Sequence, residues 1–520
     1  MNIKKTAIMI SIVGAFVGSV GTLAWADVPQ QYDDFFFWRL GHMDGPHDES
    51  KALGISRDGK VAVGSTLVVD FRRAWRMDID WALISPDPRD GENDDNTPPL
   101  YNELQVQEDI GVVVPSQPSA AYAASNMTEL AEDSCDYYKY GDVSQWILNW
   151  CGSKPVGTLN VGTVSYSAQW LLPVQNKQLT GEEIVENVDY VKIPDFGGGL
   201  ADMKALAVTT DGTVMVGYGS NKRGQQAFRA DMTGVDAVTG DPLPILQTLT
   251  ITDAVSLQSL QSSVAQDVSA DGFIITGYGG TKTGNRAFVT DTTLTDWTVD
   301  VPVYVSTLLP NLTGGKFAEA YAMTPDGAVI AGRSDSPLGP QACIWFKVDE
   351  SGAFTTDPLG TWVVKGLGGL SKGGYDAVAY GVAYKNDPIW GDLMVVGRSK
   401  TILYPSEAFV WAGNPVLEPD GEEGAFIGYM YDLEYILIKS GAGTASDMGS
   451  SWILNEATGI SADGTRIVGW GTNPEQGIEA FAVTGYPSEL ILVLDGETGG
   501  EPDPKPKPNP KPPKVKDKDK

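Results

Sequence analysis

Histidine is nearly missing from this chain, and that absence removes much of the usual catalytic machinery. Only His42 and His47 occur in 520 residues. Serine-type acyl transfer needs a base beside its nucleophile, and two clustered histidines leave little scope for one. A Walker loop, a dinucleotide fingerprint and the Cys spacings of haem or structural zinc are also lacking. Cations are the minority charge, 37 Lys and Arg against 67 Asp and Glu, for a net charge of −30. So acidic a chain repels phosphate backbones, which argues against nucleic acid as a partner. Beyond the N-terminus no apolar run approaches the roughly 18 residues of a membrane helix.

Cysteine is scarce as well, at three residues. Cys135 and Cys151 lie near one another, and in an exported protein they are expected to form a local disulfide. Cys343 stands where sister repeats carry Phe, and is expected to be a buried, unpaired thiol.

Against these absences stands a repeat. It reads Ala-x-x-apolar-Ser/Thr-x-Asp-Gly, then Gly five residues later, then Ala and a large apolar residue. Copies occupy 51–75, 204–228, 264–288, 319–343 and 456–481. A further copy at 378–409 has lost its Asp-Gly. Self-similarity of this kind means one supersecondary unit used many times. Asp-Gly between apolar runs signals a hairpin, because Gly accepts positive φ. The following run, such as TVMVG or FIITG, is Val- and Ile-rich as strands are. Its last Gly (Gly64, Gly217, Gly277, Gly332, Gly397, Gly469) predicts a bend or a close backbone approach. A polar loop, as at 219–226, leads to a third strand starting at Ala, followed by Trp75, Phe228, Phe288, Cys343, Phe409 or Phe481. A fourth apolar segment lies between copies, for example 304–312.

Four short strands per unit predict an all-β fold, a β-propeller of six or seven four-stranded blades. A stacked β-solenoid and a pair of sandwiches are the rival architectures. The seventh blade rests on SYSAQWLLP at 165–173, which reads as the end of a worn copy. The segment 84–160 reads as an irregular insertion after the first repeat, with a short helix within 117–135.

The motif Ala-x-x-Ile-Ser-x-Asp-Gly-x-x-x-Val-Gly with Ala-Phe-x-Trp resembles the HAF-type extracellular repeats of bacterial surface and secreted proteins. It is also similar to the repeats of the DUF3466 group. The resemblance covers roughly 32–494. It implies an exported repeat protein and brings no catalytic residues with it.

The ends agree with export. Lys4 and Lys5, an apolar stretch to residue 23 and Ala24-Trp25-Ala26 form a signal peptide over 1–26, with cleavage expected before Asp27. The body, 27–500, is then expected to be secreted or periplasmic and not membrane-spanning. Residues 501–520 alternate Pro and Lys and predict a disordered basic tail.

Three acidic groupings invite a metal reading. HMDGPHDE around His42 and His47 matches no zinc spacing and reads as a solvated loop. Asp87, Asp90, Glu92, Asp94 and Asp95 are the calcium candidates, but Gly91 falls too early for an EF-hand and no Glu closes the loop. Calcium is therefore the lesser reading, and no cofactor is expected. The repeated Asp58, Asp211, Asp271, Asp326 and Asp463 are accounted for by turn chemistry. The function expected is a non-enzymatic binding or structural module of the bacterial envelope or exterior, with an envelope protein or glycan as partner. The alternative is a carbohydrate-active hydrolase or lyase using acidic residues in the channel, since carboxylate separation is a property of the fold. Oligomeric state is not legible.

Overall fold

Each copy of the repeat folds into antiparallel strands joined at the Asp-Gly turn, and the copy at 264–288 shows why. After the first strand, the amide of Ser269 donates to the carbonyl of Ile274 and Gly272 N to Ser269 O. Gly272 takes φ of +79°, where a side chain is strained. The Ser/Thr and Asp of the motif brace this turn. In the sister copy Thr209 Oγ1 donates to Asp211 at 2.6 Å, while Thr209 Oγ1 accepts from Val214 N at 3.0 Å. Burial opposes the charge on Asp211, but the bonds from Thr209 and Thr213 outweigh it and hold the carboxyl below its ordinary range. The turn aspartates are thus engaged in turn chemistry, as expected.

The computed structural model describes residues 36–41, 49–68, 71–78, 108–109, 119–124, 137–140, 145–148, 155–161, 164–170 and 190–193, and most of 196–485 apart from segments such as 236–242, 297–302, 416–427 and 441–451. The expected signal peptide at 1–26, His42, His47, the acidic cluster Asp87–Asp95, Cys135, Cys151 and the expected tail at 501–520 lie outside the described residues.

Strand β1 (Phe36–Gly41) precedes the first unit, which holds β2 (Glu49–Ile55), β3 (Val61–Val68), β4 (Phe71–Asp78) and β5 (Glu108–Asp109). Unit two begins with β6 (Ser119–Ala124). A separate hairpin of β7 (Tyr137–Tyr140) and β8 (Gln145–Leu148) follows, and β9 (Pro155–Val161), β10 (Val164–Trp170) and β11 (Tyr190–Lys192) complete the sheet. Unit three is β12 (Met203–Val208), β13 (Val214–Asn221), β14 (Gly224–Asp231) and β15 (Ile245–Thr248). Unit four is β16 (Ser262–Val268), β17 (Ile274–Thr281), β18 (Gly284–Asp296) and β19 (Val303–Leu308). Unit five is β20 (Ala318–Met323), β21 (Val329–Ser334), β22 (Gln341–Val348) and β23 (Thr361–Gly368). Unit six is β24 (Ala377–Asp387), β25 (Gly391–Ser399), β26 (Glu407–Gly413) and β27 (Tyr429–Asp432), followed by helix α1 (Leu433–Ser440). Unit seven is β28 (Ile453–Ile460), β29 (Arg466–Thr472) and β30 (Ile478–Thr484). Its fourth strand is β1, paired antiparallel with β30 from Phe36↔Thr484 to Gly41↔Ala480. A single parallel pair, Glu49↔Ile478, joins units seven and one.

The core lies between units, and the third strands build it with an Ala followed by a larger residue, which is Phe in units three, four, six and seven. Side chains alternate across a strand, so neighbours face opposite sides. Phe288 packs among Val216 and Ala227 of unit three and Val268 and Ile275 of its own unit. Ala287 faces the other way, against Ile330, Cys343 and Trp345 of unit five. Phe409 likewise meets unit five and Phe481 unit six, and Trp75 packs on Val468 and Ala480 of unit seven. Cys343 is buried and unpaired, and burial pushes its thiol well up. The first strands touch in succession: β2 with β6, β6 with β12, β12 with β16, β16 with β20, β20 with β24, β24 with β28, and β28 with β2.

Three readings need correction. The segment 84–160 is not wholly irregular, because β6 and β9 belong to unit two. Gly157 of β9 holds the place of the repeated Gly, and the Asp-Gly turn is replaced by a long connection that hid the copy. Ser119–Ala124 is a strand rather than part of a helix, since pairing with β9 overrides the helical propensity of its alanines. The loop at 219–226 is much shorter than read, with β13 running to Asn221 and β14 starting at Gly224, before the Ala.

Helix α1 carries a pH-dependent contribution. Asp432 caps it, accepting from Glu434 N at 2.9 Å, and Leu433, Ile436 and Leu437 are buried. Burial, then the neighbouring Asp432, pushes Glu434 up to about 7 from an ordinary 4.5. A raised carboxyl binds more protons folded than unfolded, so its stabilisation is complete below the unfolded value and is lost as pH climbs through 7. Unfolding at pH 8 should need about 1–2 kcal/mol less than at pH 5, allowing for solvent screening of this part-exposed group. Glu434→Gln should flatten that difference in denaturant titrations, and an unchanged pH profile would contradict it.

Candidate functional site

Every first strand carries a β-bulge at the same place. The register slips between Ala52 and Gly54, Ala121 and Ala123, Ala205 and Ala207, Ala265 and Asp267, Ala320 and Ala322, Ala379 and Gly381, and Ala457 and Gly459. A bulge re-aims one side chain and bends its strand. The repeated Gly of the second strand makes room for it: a Cβ on Gly277 would stand 2.0 Å from the carbonyl oxygen of Val264. The residues inside the bulges are Leu53, Tyr122, Leu206, Gln266, Tyr321, Tyr380 and Thr458, and all seven line one cavity of about 450 Å³.

The Asp-Gly turns contribute Arg57, Pro325 and Ala462 to the lining of this cavity, and bond to one another in pairs. Ala270 N donates to Pro325 O at 2.7 Å and Ala462 N to Arg57 O at 2.8 Å. Arg57 of unit one reaches the carbonyl of Val268 and lies 3.6 Å from Asp267 in unit four. Asp267 also accepts from Met323 N at 2.7 Å. Burial raises its pKa despite the Arg57 charge and these bonds.

At the other end the strands lead towards the hairpins between second and third strands, and there a collar of aromatic and charged residues forms. Tyr321 stands between Tyr278 and Tyr380, with ring centroids 5.8 and 5.6 Å away. Glu319 accepts from Tyr321 Oη at 2.6 Å, Asn285 Nδ2 at 2.6 Å and Arg333 Nε at 2.7 Å. Burial favours its protonated form, but Arg333, Tyr321 and Asn285 together hold its pKa down. Arg398 donates to Tyr380 Oη at 3.1 Å and lies 3.3 Å from Glu456 Oε1. Glu456 is pushed up by burial, opposed by Arg398 and Lys51. Lys51 Nζ sits 4.0 Å above the ring of Trp470, and Lys204 Nζ 5.8 Å from that of Tyr218. Burial opposes the charge on Lys204, yet the Tyr218 hydroxyl raises its pKa overall.

Sequence reading placed none of its metal or disulfide candidates here; Asp87, Asp90, Glu92, Asp94, Asp95, Cys135 and Cys151 lie outside the described residues. The repeated turn aspartates do not converge on a ligand. The residues that do converge follow the repeated Ala and flank the repeated Gly. They vary from copy to copy inside a constant frame, and that variation was the signal available. Among the described residues no group of three or more His, Cys, Asp or Glu side chains is placed to hold a metal. Among them, too, no helix is long and apolar enough to cross a membrane.

Comparison with known proteins adds little. No family model matches the chain, and no curated protein does. Among solved structures, that of TolB from Acinetobacter baumannii aligns with a TM-score of 0.29 and 10% identity over 58% of this chain. The aligned part spans about half of TolB, 51% of its length.

Proposed function

We propose that the chain is an exported, non-enzymatic binding module built as a closed seven-bladed β-propeller, with its ligand seat at the collar of the central channel. The observation that carries this reading is the bulge repeated in all seven first strands, which turns seven non-identical residues into one cavity. The cyclic succession of first-strand contacts supports closure, since neither a stacked solenoid nor a pair of sandwiches joins its last unit to its first. Pairing of β1 with β30 supports it further, because a ring sealed by its own two ends leaves no open sheet edge at the join. Export rests on the N-terminal signal, and an envelope or extracellular setting on that signal with the resemblance to HAF-type and DUF3466 repeats.

Binding is favoured over catalysis by how the carboxylates are held. Glu319 accepts three hydrogen bonds and pairs with Arg333, Glu456 pairs with Arg398, and Asp267 faces Arg57. A hydrolytic pair needs one carboxyl that keeps its proton and a second, ionised one open to water or substrate. The second reading, a carbohydrate-active hydrolase or lyase, draws on the upward shifts of Glu456 and Asp267 in the cavity wall.

One experiment separates them. Immobilised protein is incubated with isolated bacterial envelope material, and both retained material and released reducing ends are measured. The binding reading expects retention without turnover, reduced at least tenfold by Tyr380→Ala with unchanged melting. Release of reducing ends that Glu456→Gln abolishes would establish the enzyme instead.

A further inference from the structure

We propose that the hairpins joining second to third strands in units four, five and six, with the loops that link them, form a docking face for an anionic phospholipid bilayer. Ile402, Leu403 and Leu338 enter the interface, and Lys282, Lys316 and Lys400 meet the head groups. The reading is independent of the channel. Ile402 and Leu403 stand at the tip between β25 and β26, 86% and 81% exposed. Leu338 stands at the tip between β21 and β22, 63% exposed. The equivalent tips of unit four, Lys282 and Thr283, and of unit seven, 473–477, hold no Leu, Ile or aromatic residue. Single exposed apolar residues are ordinary. Side chains this exposed add almost nothing to a core, and grouped on adjoining tips they mark an interaction surface.

Contacts between the loops bring these tips together. A Cβ on Gly284, in the unit-four hairpin, would lie 3.4 Å from Lys316 O, and one on Gly314 would lie 3.0 Å from Pro337 of unit five. Asp335 N donates to Phe317 O at 3.0 Å, Tyr375 N to Leu338 O at 3.0 Å, and Lys400 N to Asp376 O at 2.9 Å. The backbone path from Leu338 to Ile402 through the last two bonds is on the order of 20 Å. Among the described residues of these hairpins and loops, every fully exposed charge is a lysine: Lys282, Lys316 and Lys400. The acids Asp335, Asp376 and Glu407 are half-buried. On a chain of net charge −30 this face is a local exception, and it complements an anionic surface.

The arrangement favours lipid over a folded partner. Its apolar residues stand on hairpin tips, whereas a protein interface needs about 1,000 Å² of matched surface. A bilayer interface needs no matched surface. It takes apolar side chains deepest, then an aromatic ring with a polar tip, then cations. Lys400, Ile402, Leu403 and Tyr404 supply all three on one turn. That turn is closed by Thr401 N donating to Tyr404 O and Tyr404 N to Thr401 Oγ1, both at 3.0 Å. Leu338 N donates to Ser336 Oγ at 3.2 Å, and its carbonyl is taken by Tyr375. Backbone groups already paired lose less on leaving water.

The test uses the mature chain and phosphatidylcholine vesicles with or without about one-third phosphatidylglycerol. Co-sedimentation is measured at low and physiological salt. Binding to the anionic vesicles is expected, about tenfold above that to the neutral ones and weakened by salt. Ile402→Ser combined with Leu403→Ser should lower it by about tenfold or more. Lys400→Gln should lower it about fivefold, the share of one basic group at an anionic surface. Leu359→Ser is the control. Leu359 is as exposed, but it lies on the turn between β22 and β23, at the opposite end of the strands, and its replacement should leave binding unchanged. Melting curves establish that every variant folds. No binding to anionic vesicles, or an equal loss with Leu359→Ser, would overturn the proposal. Equal binding by the tip variant would also overturn it and assign the contact to the basic residues of 501–520. Tip-dependent capture of an envelope protein without vesicle binding would replace lipid by a protein partner. Whole envelopes contain lipid, so the Tyr380→Ala comparison is made on delipidated material, which reads the channel apart from this face.

Discussion

Replacing Phe288 by Ala should destabilise the protein by about 3–5 kcal/mol, the range for emptying a buried Phe site. Phe288 is 0% exposed and packs among Val216, Ala227, Leu249, Val268 and Ile275, residues of two different units. The void would open between two sheets, each stiffened by its own backbone ladder, so collapse into it is limited. For a chain of this size the melting temperature should fall by about 3–5 °C, because unfolding entropy grows with length. Leu359, 91% exposed, is the control: its replacement by Ala should stay within about 0.5 kcal/mol. A Phe288→Ala effect as small as that of Leu359→Ala would remove the inter-unit core from the account.

Deleting Phe36–Gly41 should cost more, above about 5 kcal/mol, because several losses fall together. The deletion exposes the whole edge of β30, whose ladder with β1 runs from Phe36↔Thr484 to Gly41↔Ala480. It removes Leu40 from the core with Trp75 and Ala482. It removes Phe37, whose ring lies 5.3 Å from that of Trp452 and 5.9 Å from that of Phe481. It also strips Glu479, 3% exposed, of the bidentate Arg39 guanidinium at 3.0 and 2.7 Å. A buried carboxylate without its cation is costly, and an unpaired edge strand invites association between chains. Chemical unfolding with and without the strand, together with light scattering, checks both consequences. Unchanged stability and a monodisperse truncated protein would show that the two chain ends do not depend on each other.

What was legible in the sequence was the frame. Asp-Gly marked the turns because only a residue tolerant of positive φ fits there, and Gly272 at +79° is one instance. Ala-Phe marked the third strand because one small and one large side chain serve opposite interfaces. Unit two was legible only at its end, 165–173, where β10 runs to Trp170; its first strands escaped because the Asp-Gly turn is gone, leaving Gly157 as their one mark. Helix α1 escaped because its apolar positions, Leu433, Ile436 and Leu437, fall in a short run without strong boundaries. The pairing of β1 with β30 could not be read, since residues at opposite ends of the chain share no local pattern. The collar escaped for a related reason. Leu53, Tyr122, Leu206, Gln266, Tyr321, Tyr380 and Thr458 are scattered along the chain and line one cavity only because the same bulge recurs in seven first strands.

An experimental crystal structure of the mature chain tests the closed ring most directly. The account predicts seven four-stranded sheets around one channel, β1 completing the seventh by pairing with β30, and Leu53, Tyr122, Leu206, Gln266, Tyr321, Tyr380 and Thr458 facing that channel. Six sheets, an open arc with β1 unpaired from β30, or these seven side chains directed to separate surfaces would contradict it.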